Sequence, residues 1–302
     1  MTDYTVTELD LSNRKLTVLP DLFLYPNLQI LHCSNNYLTS LDNLPPTLQE
    51  LDCFNNQLTS LNNLPSQLQN LDCSHNQLTS LKNFPPTLQT LFCHSNQLTS
   101  LENFPPTLQE LWCQRNQLTR LGGAESAFGT SLDILPLTLQ NLDCSHNQLT
   151  SLENFPPTLQ TLYCHSNQLT SLKNLPPNLQ ELWCHSNQLT RLGFRNDRLE
   201  SAFGTSLDIL PLTLQELHCK KNPIYTICEK MYGFELSKKT IEQYNEIKRM
   251  EKECCPMQTN KQTNKMTDYT VTSLNLSKQN LTVLPDLSLY TKLKTLDCTD
   301  FS

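Results

Sequence analysis

LQELDCFNNQLTSL (residues 48–61) and LQTLYCHSNQLTSL (residues 159–172) are one phrase written twice, and it recurs along most of the chain. Its cysteine marks the period. Cys33, Cys53, Cys73, Cys93 and Cys113 stand twenty residues apart, the beat resumes at Cys144, Cys164 and Cys184, and it returns at Cys219. Self-similarity at such a period is the mark of a solenoid. Each turn buries its apolar face only against its neighbours, so stability is a sum over turns and interfaces.

Within one turn, the alternation Leu51-Asp52-Cys53 predicts a short strand. Leu51 and Cys53 point one way and Asp52 the other. Stacked turns then form a parallel sheet with strands about 4.8 Å apart. Cysteine behaves as a small, readily buried hydrophobe, so a column of it inside a tight turn is a choice of size. The column Asn36, Asn56, Asn76, Asn96, Asn116, Asn147, Asn167, Asn187 and Asn222 falls where the chain must leave the strand. A buried amide both donates and accepts, and so is expected to satisfy the backbone groups freed there. Proline pairs stand on the far side of the turn, at 45–46, 85–86, 105–106, 156–157 and 176–177. Proline fixes φ and removes a donor. That side is therefore expected to be extended or polyproline II rather than α-helical.

The whole turn reads L-x-x-L-x-C-x-x-N-x-L-x-x-L, then N-[LF]-P-P-[TN]. It resembles the leucine-rich repeat, whose regular segment is L-x-x-L-x-L-x-x-[NC]-x-L, with Cys here at the middle Leu site. The resemblance covers roughly residues 6–224. The proline phrase is similar to the short repeats of bacterial type III effectors and of leucine-rich-repeat proteins in giant DNA viruses of amoebae. The Cys-for-Leu exchange and the Asn/Lys/Gln flavour lean towards the viral group. The resemblance implies a leucine-rich-repeat horseshoe, with a concave parallel β-sheet and an extended convex side. It also implies an intracellular scaffold, in the host cytoplasm if the source is viral.

Composition narrows the function classes. Charged residues make up 17% of the chain and the net charge is −7. No basic stripe is visible, which argues against a nucleic-acid partner. No run of about 18 apolar residues is present to span a membrane. The start, MTDYTVTELDLSNRKL, carries acids and no apolar core, so it does not read as a signal peptide and a cytoplasmic location is expected. Thirteen cysteines in so long a chain without a leader point to packing rather than disulfides.

The repeat region, 1–222, is interrupted twice, by RLGGAESAFGT (120–130) and RLGFRNDRLESAFGT (191–205). Both interruptions end in ESAFGT and lead into SLDILPLTLQ, so the register is expected to survive them. Phe128 and Phe203 would be their apolar tips. The three turns from Asp72 to Gly122 closely match those from Asp143 to Gly193, as a copied block would. Past Asn222 the beat stops. Ser237 would cap a helix with Ile241, Tyr244, Ile247 and Met250 on its apolar stripe, making 223–256 a helical C-terminal cap. Residues 257–265 read as a polar linker. Residues 266–302 are a truncated second copy of the N-terminal segment, since 266–298 repeats 1–33 with 22 of 33 identities. A fragment that short is not expected to bury a core alone.

Chemistry is hard to find. The six glycines form no phosphate-binding fingerprint, and no nucleophile–base pair or paired-carboxylate motif stands out. His follows Cys at 94, 165 and 185, yet neighbouring strand residues face opposite ways, so zinc ligands would not converge. Cys298-Thr299-Asp300 has the three letters of the bacterial effectors' ubiquitin-ligase motif. It lies at a repeat position, however, and the helical domain that would support catalysis is missing. Neither an enzyme nor a cofactor site is expected.

A binding face is the better candidate. The outward central column runs Asp10, His32, Asp52, Asp72, Phe92, Trp112, Asp143, Tyr163, Trp183 and His218. Large aromatics in a polar column are typical of binding hot spots. The pairs Phe92/Trp112 and Tyr163/Trp183, flanked by His94, His165, His185, Glu110 and Glu181, are the expected site for a protein partner. The competing reading is that the copied block carried its aromatics along and they stack only on each other. The chain is thus expected to be a monomeric, non-enzymatic interaction scaffold. A substrate-recognition subunit of a ubiquitin-transfer or other enzyme complex is the alternative, and a recently expanded paralogue without a selected partner is a third.

Overall fold

A computed structural model of the chain describes residues 5–122, 135–193, 206–207, 210–211, 213–223, 273–275 and 295–297. The chain divides into two units, Met1–Asn245 and Glu246–Ser302. In the first, ten strands of three residues form one parallel sheet in unbroken chain order. They are Glu8–Asp10, Ile30–His32, Glu50–Asp52, Asn70–Asp72, Thr90–Phe92, Glu110–Trp112, Asn141–Asp143, Thr161–Tyr163, Glu181–Trp183 and Glu216–His218. Their central leucines pair turn to turn. The register passes over both interruptions, with Leu111 beside Leu142 and Leu182 beside Leu217. Each longer turn therefore leaves the sheet intact, as the repeat register requires.

The core is a set of columns. Leu48, Leu58 and Cys53 are fully buried, as are their counterparts in the following turns. Asp52 and the other outward strand residues alternate with them. The Asn column performs the work foreseen for it. In the turn of Asn116, the amide nitrogen donates to the carbonyls of Cys113 (3.1 Å) and, one turn back, Cys93 (3.0 Å). Its Oδ1 accepts from the Leu98 N–H at 3.0 Å. Asn56, Asn76, Asn96, Asn147, Asn167, Asn187 and Asn222 repeat the pattern.

On the far side, the first proline of each pair is buried and the second exposed. The carbonyl of the first closes a tight turn, as in Leu48 N–H to Pro45 O at 3.1 Å. The threonine after the pair then reaches back one turn, Thr107 Oγ1 to Leu88 O at 2.8 Å. Two residues per turn adopt left-handed backbone. One is Asn at positions 43, 63, 83, 103, 154 and 174, with φ of 53–58°. Asn tolerates that region better than other residues with a Cβ, which explains why this letter of the phrase does not vary at these positions. The other immediately precedes the buried Asn and ranges over Asn, His, Ser, Arg and Lys.

Two smaller parallel ladders lie on the flank that follows the Asn. Ser100–Leu101 pairs with Arg120–Leu121, and Ser171–Lys173, Arg191–Gly193 and Ser206–Leu207 form a second. They adjoin the interruptions, whose residues 123–134 and 194–205 lie outside the described set, together with Phe128 and Phe203. The expected cap helix beyond residue 223 and the linker 257–265 also lie outside it. In the second unit, Ser273–Asn275 pairs with Thr295–Asp297 in parallel. Each strand sits 265 residues after its counterpart in the pair Glu8–Asp10 and Ile30–His32, so the copied sequence makes the same pairing. No helix among the described residues is long and apolar enough to cross a membrane.

Candidate functional site

Because every strand has the same register, equivalent outward residues stand side by side. Phe92 therefore neighbours Trp112, and Tyr163 neighbours Trp183. The Phe92 and Trp112 rings stack with centroids 5.9 Å apart, and Tyr163 and Trp183 lie 5.0 Å apart at 45°. The two pairs are not separate patches. Trp112 meets Tyr163 edge-on at 6.4 Å, although Asp143 stands between them in the ladder. Trp183 continues the row to His218 at 4.7 Å. Five rings thus form one stripe across six turns. Each of the four expected aromatics is half-buried.

The flanking histidines make a second row. His165 and His185 stack nearly parallel at 4.3 Å and 13°, and both approach Trp183. His146 packs edge-on against His165, as His75 does against His94. Stacked imidazoles hold their ring nitrogens in parallel planes, so His165 and His185 do not converge on a shared ion. Among the described residues no group of three or more metal-binding side chains comes together. Glu181 accepts from the Tyr163 hydroxyl at 2.6 Å, and burial together with that bond pushes the phenol up to about 12. Glu110 stands beside Thr90 and Asn141 on the same face.

The central aspartates have a role that the sequence reading missed. Asp52, Asp72 and Asp143 each accept from the N–H two residues on, at 3.0, 2.9 and 2.9 Å. Such a bond caps the bend out of the strand. Asp or aromatic is therefore a choice between local capping and an exposed ring. Asp143 is only 8% exposed. Desolvation raises its pKa above the usual carboxylate range, against the pull of its bonds to Ser145.

A further feature gathers on this stripe. Among the described residues, five shielded side-chain polar atoms have no hydrogen-bond partner. Trp112 Nε1 and Trp183 Nε1 lie on the stripe, and Gln114 Oε1, His185 Nδ1 and Ser74 Oγ lie in the column beside it that follows the cysteines. Buried polar atoms are normally paired, so their clustering here sets the face apart from the rest of the sheet.

The histidine row gives the solenoid a pH dependence. Burial, followed by its neighbours His185 and His146, holds His165 down to about 4. His94 and His185 are lowered for the same leading reason. Below about pH 6.5 the unfolded chain takes up protons that the folded rows refuse, so stability declines as pH falls towards 4. Asp143 works the other way, since its folded form protonates more readily. The expected result is a thermal midpoint that is flat between about pH 7 and 8 and falls by a few degrees between about pH 6.5 and 4.5. The double variant His165→Asn, His185→Asn should flatten that slope. Circular dichroism melts across the range check it.

Residues 157–196, which include the strands Thr161–Tyr163 and Glu181–Trp183, match the family model for leucine-rich repeats in two copies. YopM from Yersinia enterocolitica WA-314 is 31% identical and superposes with a TM-score of 0.56 over 74% of this chain. The chain carries leucine-rich repeats and has their fold. It spans 48% of the YopM chain, about half its length. The functional domain of InlJ from Listeria monocytogenes, which includes a cysteine ladder, is 24% identical with a TM-score of 0.55. That match covers 98% of this chain and 63% of InlJ. FLRT2 (LRR), solved in an octameric complex with latrophilin 3 and Unc5D, is 18% identical with a TM-score of 0.55. It covers 72% of this chain and 74% of its own. No curated protein matches the sequence. Of the two groups that the short repeats resemble, the bacterial effectors are represented among these structures.

Proposed function

We propose that this protein is a non-enzymatic interaction scaffold that holds a protein partner against the stripe Phe92, Trp112, Tyr163 and Trp183 on its strand face. The observation that carries this reading is the cluster of unpaired polar atoms on the stripe and in the column beside it. An unpaired buried group costs about 1–3 kcal/mol, and the five described here lie on the stripe or in the column beside it, among half-buried rings. A partner that supplies hydrogen bonds and covers the rings would recover that cost. The competing idea, that copied aromatics merely stack on one another, accounts for the ring contacts but not for the unpaired atoms. The histidines His94, His165 and His185 and the acids Glu110 and Glu181 form the rim. Proteins with these repeats are interaction modules, and FLRT2 (LRR) was solved within a multiprotein assembly. We propose a cytoplasmic site of action for the scaffold, in the host cytoplasm if the source is viral.

The test is affinity capture on the wild-type protein and on the double variant Trp112→Ala, Trp183→Ala, both shown to be folded by their melts. Partners should disappear with the variant, because central aromatic anchors typically contribute 2 kcal/mol or more, about thirtyfold or greater in affinity. If every captured protein survives the substitution, the stripe is not the site.

A further inference from the structure

The ten strands of the main sheet present two outward residues each. Nine of these positions hold Asp or Glu, and none holds Lys or Arg. The whole chain, by contrast, has 22 basic residues against 29 acidic ones. Lys and Arg are thus absent from these two columns, where only the histidines His32 and His218 approach acids, at Glu8, Asp52 and Glu216. The aromatic stripe runs through the middle of that field, with Glu110 beside Trp112 and Glu181 beside Trp183.

Asp143 sharpens the point. It is buried at 8% exposure, and Trp112 and Tyr163 meet each other on either side of it. Its bonds go to Ser145, the nearby His146 and His94 offset only part of the effect of burial, and neither strand neighbour, Trp112 or Tyr163, brings a positive charge. Burying a carboxylate without a cation is costly. The cost is removed if a cation arrives with the ligand. Trp and Tyr faces are themselves attractive to guanidinium and ammonium groups, most strongly when water is excluded. The unpaired Nε1 donors of Trp112 and Trp183 suit backbone carbonyls, and Gln114 Oε1 adds an acceptor.

We propose that the occupant of this face is a basic polypeptide segment, whose Arg or Lys side chains lie on the Trp112 and Trp183 rings against Asp143, Glu110 and Glu181. This rests on the reading of the strand face as the binding site and gives the partner its chemistry. Opposite charge also steers encounter, so association should be fast and sensitive to salt.

Trp112 and Trp183 are the two tryptophans of the chain, so intrinsic fluorescence reports this face alone. A random peptide library displayed on phage is panned against the wild type and against Trp112→Ala, Trp183→Ala. The enriched peptides should be rich in Arg and Lys and should be lost on the variant. An alternating Arg-Ser peptide then titrates the tryptophan emission, with the same peptide carrying citrulline for arginine as its neutral isostere. The Arg peptide should bind at least about tenfold more tightly than the citrulline one, as desolvated charge pairs and cation–π contacts require. Asp143→Asn retains an acceptor for the Ser145 N–H, and Glu110→Gln with Glu181→Gln keeps the side-chain shapes. Each should weaken the Arg peptide by a similar factor while leaving the melt unchanged or raised. Enriched peptides that are neutral or acidic but still lost on the tryptophan variant overturn the basic partner and keep the face. Peptides indifferent to the tryptophans overturn the face itself. Equal binding of the citrulline peptide, no effect of the three isosteric changes, or no enrichment over an unrelated bait each sinks the proposal.

Discussion

Replacing Asn116 by Leu should cost about 2–4 kcal/mol of unfolding free energy, although the two side chains are similar in size. The Leu98 N–H would lose its acceptor, and the carbonyls of Cys93 and Cys113 would lose their donor, all within the core. Each buried group left unmade costs about 1–3 kcal/mol, and relaxation recovers part of it. Urea denaturation followed by circular dichroism measures the loss. Exposed Gln117 is the neighbouring control, and Gln117→Leu should be nearly neutral. Asn116→Asp separates the two halves of the role. It can still accept from Leu98, but it points an anion at two carbonyls, so it should be destabilised at neutral pH and partly recover as the carboxyl protonates. A Leu variant as stable as the wild type would mean that these amides merely fill space.

The second large effect concerns thiol reactivity. The nine column cysteines, Cys33 to Cys219, are buried. Desolvation pushes Cys33 up to about 12, from 9.0, and raises Cys53, Cys73, Cys113, Cys164 and Cys184 well above their ordinary value. The thiolate is the reactive form. A rise of three units lowers its fraction about a thousandfold before access is considered. Iodoacetamide at neutral pH should therefore leave these nine unmodified in the native protein and modify all of them in guanidinium, as read by peptide mass mapping. Cys254 and Cys255 lie outside the described residues and serve as the internal comparison, expected from the sequence to react first. Native labelling of Cys93 or Cys144 at the rate of a free thiol would contradict a packed column.

The repeat phrase made the fold legible because its chemistry is local. Leu51-Asp52-Cys53 predicts its own alternation, Asn56 its own turn, and the prolines exclude a helix, all within one period. Since every turn repeats the phrase, the sheet and its register follow by stacking. The candidate face was legible only in part. Phe92, Trp112, Tyr163 and Trp183 could be read as outward aromatics, but as two pairs. That Trp112 reaches Tyr163 past Asp143 depends on how large rings lean over a small neighbour, which no periodicity encodes. The aspartates read as plain surface charge, because their bonds to the N–H two residues on depend on the bend that follows the strand. Nor could spacing reveal unpaired atoms such as Trp183 Nε1, which are defined by what the surrounding turns fail to offer.

The Asn bonds between turns have a consequence for how such a molecule grows. Each amide grips the turn before it through the same two atoms, Leu N–H and Cys carbonyl, whether the partners stand eighteen positions apart, as Leu38 and Asn56 do, or twenty-nine, as Leu118 and Asn147 do. Every junction is thus an interchangeable coupling, and a block of turns can be spliced in without redesigning either end. The copied block used that freedom. It placed a second set of rings one turn beyond the first, and the two closed up into a longer track. In a molecule assembled this way the length of the ring-lined face is a heritable quantity, adjusted by copying whole turns rather than by changing residues one at a time.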